Sequence, residues 1–294
     1  MSFVRLKRRR GRAYGYLVEN HWDASAGQPR QRVLKYLGPA DEIHLSDLPK
    51  AARTPSLAAR LRSAAESSDV RRTAALEELR ATLCEALVAG DFPRARGAAL
   101  RAMRQVGVDR LYGELIPQVF TEIGRRWASG TLSVSREHLA SGVVARVVEQ
   151  INARYRLPST GHREVVLCTP EGETHTLALQ LAEGLLRQKG FSPLNLGASA
   201  PTASTLEFIA ERRPVAAFIS ATLPVSLGAA RTLALRIHRR TPETRVVLGG
   251  QAVRPDSLRP PDEGFECVVG SLPAFLDGWK PGAPRPSTKK VARP

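Results

Sequence analysis

The chain changes its hydrophobic rhythm as it is read from the amino terminus. From Phe3 to Val18, apolar and polar residues alternate on both sides of a turn at Arg10-Gly11. A third alternating run, Gln31 to Leu37, follows the turn-rich stretch Ala24 to Pro29. A period of two is the signature of half-buried strands. These runs therefore predict a small three-stranded antiparallel sheet. Tyr16 and Tyr36 are expected in its core, while Tyr14 and Trp22 are free to pack or to stack. The residues that follow, 39–70, are broken by Pro39, Pro49 and Pro55 and read as a linker with helical patches. A sheet this small is marginal by itself, so the linker helix or self-association is expected to support it.

Beyond Val70 the period becomes helical. A first helix is expected from about Arg72 to Val88, ending at Ala89-Gly90. Asp91 is a good N-cap for a second, with Pro93 in its first turn and a stop at Gly107. A third runs from Val108 to Ala128 with Pro117 as a kink, closed by Ser129-Gly130. The fourth opens near Ser133 or Ser135, with Glu137 in a capping position, and continues to Tyr155. Four helices on short loops predict a bundle.

After Gly161 short apolar runs alternate with amphipathic helices. Strands are expected at Glu164–Thr169, Ser192–Leu196, Val215–Ala221, Arg245–Leu248 and Glu266–Val269. Helices are expected at Thr176–Lys189, Thr202–Arg212, Ser226–Arg240, Gln251–Arg259 and Leu272–Gly278. This is the pattern of a doubly wound, flavodoxin-like or Rossmann-like α/β domain with a parallel sheet. The expected organisation is a basic β module at 1–38, a linker at 39–70, a four-helix bundle at 71–158, an α/β domain at 162–280 and a basic tail at 281–294.

Charge alters this picture. The 294 residues carry a formal net charge of +16. The excess is concentrated at the amino terminus, where Arg5, Lys7, Arg8, Arg9, Arg10, Arg12, Arg30, Arg32 and Lys35 face only Glu19 and Asp23. Such a module suits a polyanion, with arginines for guanine edges and lysines for phosphates, so double-stranded DNA is the expected partner. Cys84, Cys168 and Cys267 are widely spaced in apolar contexts and read as reduced core cysteines of a cytoplasmic protein. No apolar run reaches the roughly 20 residues of a membrane span, and no secretory signal is expected.

The candidate chemistry sits at the ends of the central strands. His175 follows the run Val165–Cys168, and Glu173 lies two residues before it, placed to orient one imidazole nitrogen. Ser220 and Thr222 close a second strand, and Gly249-Gly250 closes a third. Small residues at successive strand ends let something bulky approach the backbone.

These pieces, Glu173-Thr-His175-Thr-Leu-Ala178, Ser220-Ala-Thr222 and Gly249-Gly250, resemble the cobalamin-binding domain of methionine synthase and the methylmalonyl mutases. The family Asp is Glu173 here and its last Gly is Ala178. The resemblance implies that His175 is the lower axial cobalt ligand. It also implies that Ser220, Thr222, Gly249 and Gly250 line the slot for the displaced nucleotide tail. Trp127, nine residues, then Glu137-His138 resembles the adenosylcobalamin photoreceptor regulators of the CarH and LitR type. In that family the Trp covers the upper face of the corrin, and Glu and His hold the adenosyl group. Ala128 stands where such proteins carry a second His, so the form of the light product is open, as is a second, linear tetrapyrrole chromophore. The amino-terminal run (Val4-Arg5, Tyr14 to Glu19, Arg30 to Gly38) resembles the start of some transposases rather than a MerR-type winged helix. The resemblance implies a light-responsive, non-enzymatic, homo-oligomeric regulator, dimer or tetramer, whose assembly sets its avidity for DNA. The alternative is a corrinoid protein that carries methyl groups to a separate methyltransferase.

Overall fold

The computed structural model describes residues 2–9, 12–24, 27–155, 163–254 and 264–279. The chain divides into two compact units, Met1–Glu78 and Leu79–Pro294. Arg10, the tail 281–294 and residues 255–259 of the helix expected at Gln251–Arg259 lie outside the described residues, as do the side chains of Arg8 and Arg12. Residues 251–254 form a turn rather than helix.

In the first unit, β1 (Ser2–Arg9), β2 (Arg12–Asp23) and β3 (Gln28–Pro39) form an antiparallel sheet in that order. The β2–β3 register skips Leu37 and Leu34, two irregularities of the kind that bend and twist a strand pair. One face of the sheet is covered by the segment read as linker. Ala40, Leu48, Ala52, Leu57 and Leu61 are buried with Val4, and Leu6, Leu17 and Leu37 pack against them. Three 3-10 turns, Ala40–Glu42, Leu45–Asp47 and Lys50–Ala52, carry the chain across that face. Arg53 fixes them by donating to the carbonyls of Leu48 and Ser46, both at 2.9 Å. Helix α1 then starts at Pro55, well before the expected Arg72, and runs to Ala89. Thr54 Oγ1 accepts the Leu57 N–H at 3.2 Å at its start. Leu57 and Leu61, four residues apart on one helix face, supply the contact.

In the second unit the carboxyl end of α1 joins α2 (Phe92–Arg110), α3 (Ile116–Ala128) and α4 (Val134–Asn152) in the expected bundle. Asp91 and Ser133 both act as N-caps, accepting from the N–H groups of Arg94 and Arg136. Ala95, Ala98, Ala99 and Ala102 are fully buried on α2, so this helix packs without large side chains. The break falls at Gly107, whose φ of 79° interrupts α2, and at a π-helical turn over Leu111–Leu115. Pro117 follows that turn directly, at the start of α3, where the π-helical spacing already departs from the regular ladder.

The α/β domain has a five-stranded parallel sheet in the order β5-β4-β6-β7-β8. Its strands are β4 (Glu164–Cys168), β5 (Ser192–Asn195), β6 (Ala216–Ser220), β7 (Arg245–Gly249) and β8 (Glu266–Cys267). Helices α5 (Leu177–Gln188), α6 (Thr202–Arg212), α7 (Leu227–Arg240) and α8 (Leu272–Gly278) connect and flank them. β4 and β6 are buried along most of their length, as apolar strands covered on both faces must be. The order reverses between β4 and β6. In open α/β sheets the crevice beyond the strand ends at that reversal is the ligand position.

A buried polar joint ties the bundle to this domain. Tyr112 Oη donates to Asn152 Oδ1 at 2.8 Å, and Asn152 Nδ2 donates to the Gln180 carbonyl on α5 at 2.8 Å. Gly184 on α5 makes room for it, since a Cβ there would collide with Asn152 and Tyr112. Tyr112→Phe removes one donor from a buried acceptor and is expected to lower stability by about 1–2 kcal/mol in denaturant unfolding. An unchanged midpoint would show that the joint contributes nothing.

Candidate functional site

β4 delivers its chain into a tight loop, Thr169 to Thr176, that several local bonds hold rigid. Gly172 adopts φ 87°. Thr169 Oγ1 donates to the Glu173 carbonyl at 2.7 Å, and the Ser199 N–H donates to that same carbonyl at 2.8 Å. Ser199 Oγ in turn accepts the Gly172 N–H at 3.0 Å. Ser199 holds a positive φ of 48°, uncommon outside glycine, asparagine and aspartate.

The loop exists to place Glu173. Its side chain is fully buried and still ionised. Burial opposes the charge, but donors from the Leu223 N–H, the His175 N–H, the His175 ring and the Thr222 N–H outweigh it, and the carboxyl is held down at about 2. Oε1 accepts from the His175 N–H at 3.0 Å and lies 2.6 Å from His175 Nδ1. Oε2 accepts from the N–H groups of Thr222 and Leu223, both at 3.0 Å. One carboxylate thus pins the loop after β4 to the loop after β6. An ionised acceptor requires Nδ1 to be the donor, so a neutral imidazole presents its Nε2 lone pair outward. The His175 side chain is 49% exposed, which leaves that nitrogen open to a ligand.

Ser220 and Gly249 are paired in register at the ends of β6 and β7. Ser220 Oγ is buried with no hydrogen-bond partner among the described residues. Gly250 has φ 106°, and a Cβ there would strike the Ala221 backbone. Gly249 is less constrained, since its Cβ would meet only Val268 at 3.6 Å. His175, Glu173, Ser220, Thr222, Gly249 and Gly250 are therefore gathered at one edge of the sheet. The residues that sequence reasoning missed are Thr169, Ser199 and Leu223. Two of them act through backbone groups, for which side-chain identity carries no signal.

The helical motif forms a second cluster. Trp127 lies in the last turn of α3 and is 51% exposed. Glu137 and His138 lie early in α4. His138 Nδ1 and Glu137 Oε2 are 2.7 Å apart, and Ser141 Oγ donates to Glu137 Oε1 at 2.8 Å. Nearby Val134 and Leu139 are also exposed, an unusual concentration of apolar surface on one helical hairpin.

Among the basic residues, Arg30 pairs with Asp23 at 3.1 Å and Arg32 with Glu19 at 3.7 Å. Lys35 stands opposite Leu17, on the covered side of the sheet. Arg5, Lys7 and Arg9 share the other side, and so do Tyr16 and Tyr36, contrary to the core position expected for the two tyrosines. Apolar cover comes from the linker segment, so the core forms on the opposite face. The cysteines are free, and burial pushes the Cys168 thiol up to about 12. Among the described residues no three His, Cys, Asp or Glu side chains converge to hold a metal, and no helix is long and apolar enough to cross a membrane.

Comparison with known proteins agrees with this geometry. Residues 163–271 match the B12 binding domain family and residues 79–152 match the second B12 binding domain family. The HTH-type transcriptional repressor CarH of Myxococcus xanthus is 30% identical over 181 residues, 60% of this chain and 59% of that protein. The repressor CarA of the same organism is 30% identical over 145 residues, 48% of this chain and 47% of that protein. The chain thus spans about half the length of these relatives, both of which are transcriptional repressors. The monomethylamine corrinoid protein of Methanosarcina barkeri has the same fold, with a TM-score of 0.57 at 14% identity, covering 68% of this chain and 97% of that one.

Proposed function

We propose that this chain, whose bundle and α/β modules both match B12 binding families, is a cobalamin-dependent regulator that binds DNA through its amino-terminal unit. The observation that carries the proposal is the His175 imidazole, held by a buried ionised carboxylate with its second nitrogen open. The donor set fits the group. In this reading His175 Nε2 would ligate the cobalt. The partnerless Ser220 Oγ, Thr222 and the glycine pair Gly249-Gly250 receive the nucleotide tail. Trp127, Glu137 and His138 cover the opposite face, in the adenosyl form for preference. Bound alkylcobalamin supplies a light-sensitive cobalt–carbon bond.

What the protein's own residues do follows from their bonding. Glu173 fixes the His175 tautomer and couples the loops after β4 and β6, so a pull on His175 Nε2 is transmitted to Thr222 and Leu223. Trp127, Val134 and Leu139 are each exposed on the α3–α4 hairpin and give it apolar positions that a bound group or a second copy can cover. A change of cover alters self-association, and self-association alters the number of basic units on one DNA.

The test is visible absorption of the protein with adenosylcobalamin, in darkness and after green light, with size exclusion on both samples. A bound spectrum that changes on illumination, with a change in elution volume, supports the switch. His175→Ala is expected to change the spectrum of the loaded protein, and an unchanged spectrum would overturn the ligand assignment.

A second reading is favoured by one observation, the near-complete match to a corrinoid protein fold. A methyl carrier accepts methyl groups from a partner enzyme and ignores DNA. A regulator binds DNA with an affinity that falls steeply with salt.

A further inference from the structure

The amino-terminal sheet has two unlike faces. Alternation along β1 sends Val4 and Leu6 into the core with Leu48, Leu57 and Leu61, so Arg5, Lys7 and Arg9 stand on the other face. On β2 the same alternation turns Leu17 inward and Tyr14 and Tyr16 outward. The register assembles these into rows, with Arg5 opposite Tyr16, Tyr16 opposite Tyr36, and Lys7 opposite Tyr14. The rings are contiguous. Tyr16 and Tyr36 have centroids 5.3 Å apart, and Tyr14 and Tyr36 are 6.4 Å apart. Lys7 Nζ lies 5.7 Å from the centre of the Tyr16 ring. Tyr36 is 53% exposed. None of these six residues is acidic.

Folding accounts for this face only in part. Val18, on the same side of β2, is buried, but the main core of the unit forms on the opposite side and Tyr36 remains open to solvent. A row of arginine and lysine beside them repels itself unless an anion is present.

We infer that the open face is a binding surface for single-stranded DNA. The inference rests on the reading of the amino-terminal unit as the DNA-binding part, and it specifies the form of DNA that the sheet takes. In a duplex the faces of the bases are covered by their neighbours, and an aromatic row can reach only their edges. In an unpaired strand each base offers a face to an exposed ring, and a parallel line of cations holds the phosphates. Arg5, Lys7 and Arg9 recur every second residue along one strand, at about 7 Å spacing, beside a row of three rings. Charge alone would serve either form of DNA; the tyrosines favour the unpaired one.

The experiment is fluorescence anisotropy of the full chain with a labelled short DNA strand, and with the same strand annealed to its complement, over a salt series. The single strand is expected to bind more tightly. Tyr36→Ala is expected to weaken single-strand binding roughly tenfold and to leave duplex binding and the thermal midpoint unchanged. Tyr36→Phe keeps the ring and retains binding. The double variant Arg5→Gln, Lys7→Gln weakens both forms and flattens the salt dependence. Equal or tighter duplex binding, with no loss in Tyr36→Ala, overturns the inference and leaves the DNA reading standing. Failure of both forms to bind overturns both.

Discussion

Replacing Glu173 by alanine is expected to lower the stability of the α/β domain by about 3–5 kcal/mol, because it removes the acceptor of three backbone N–H groups and one imidazole at once. For a unit of this size that corresponds to a fall in Tm of roughly 10 °C. The same change frees the His175 ring, and loss of an orienting carboxylate typically weakens a metal site by about 10–100-fold. Thermal melts with and without cobalamin, and a cobalamin titration, check both parts. Glu173→Gln keeps the shape but turns one end into a donor, so it is expected to fall between. The pH dependence has a definite direction. The Glu173 carboxyl titrates at about 2 when folded against an ordinary 4.5. Its charge therefore contributes about 3 kcal/mol that is fully present above pH ~4.5 and is lost as the pH falls toward 2. Acid unfolding of Glu173→Gln should lack this component. A variant with the wild-type acid profile and midpoint would show that the carboxylate is not the anchor.

Replacing Gly250 by alanine should be nearly as damaging, for a different reason. Gly250 has φ 106°, and an added Cβ would strike the backbone of Ala221. No side-chain rotation relieves a clash with main chain. Backbone strain and overpacking together are expected to cost about 3–5 kcal/mol. The neighbouring Gly249→Ala is the control. Its Cβ meets only Val268, at an ordinary 3.6 Å, so stability should change by less than about 1 kcal/mol. If Gly249 lines the cofactor slot, that variant loses cobalamin affinity while melting normally. Equal stability of the two alanine variants would overturn the argument.

Much of this was legible in the residues because the physics behind it is local. Buried parallel strands read as short apolar runs, and β4, β6 and β7 end within a residue of their expected positions. Capping is equally local, and Asp91 and Ser133 act as expected. The linker helix supports the sheet as expected, but its start at Pro55 was not legible, because Leu48, Ala52, Leu57 and Leu61 are sparse and form a core only against a sheet distant in sequence. Tyr16 and Tyr36 lie outside the main core because the linker segment covers the opposite face of the sheet, and for Tyr36 the skipped residues Leu37 and Leu34 also break the simple alternation of β3. The stop at Gly107 was legible because a glycine readily takes the positive φ that interrupts a helix, whereas the π-helical turn over Leu111–Leu115 leaves no single-residue signal. Leu223 and Ser199 were invisible because what they contribute is mainly backbone.

The joint at Asn152 gives the bundle a mechanical character. α4 is fastened at its carboxyl end, where Asn152 grips α5, whereas Glu137 and His138 lie near its other end. Fifteen residues of helix separate those points, a beam of about 22 Å. The pivot of that beam is packed and polar, while its far end carries the exposed Val134. A tilt of about 5° at the pivot, too small to disturb a single hydrogen bond there, sweeps the far end through roughly 2 Å, half the thickness of an aromatic contact. The joint thus fixes α4 on α5 about 22 Å from the residues at its other end, so a small change of tilt at one end is read as a larger displacement at the other.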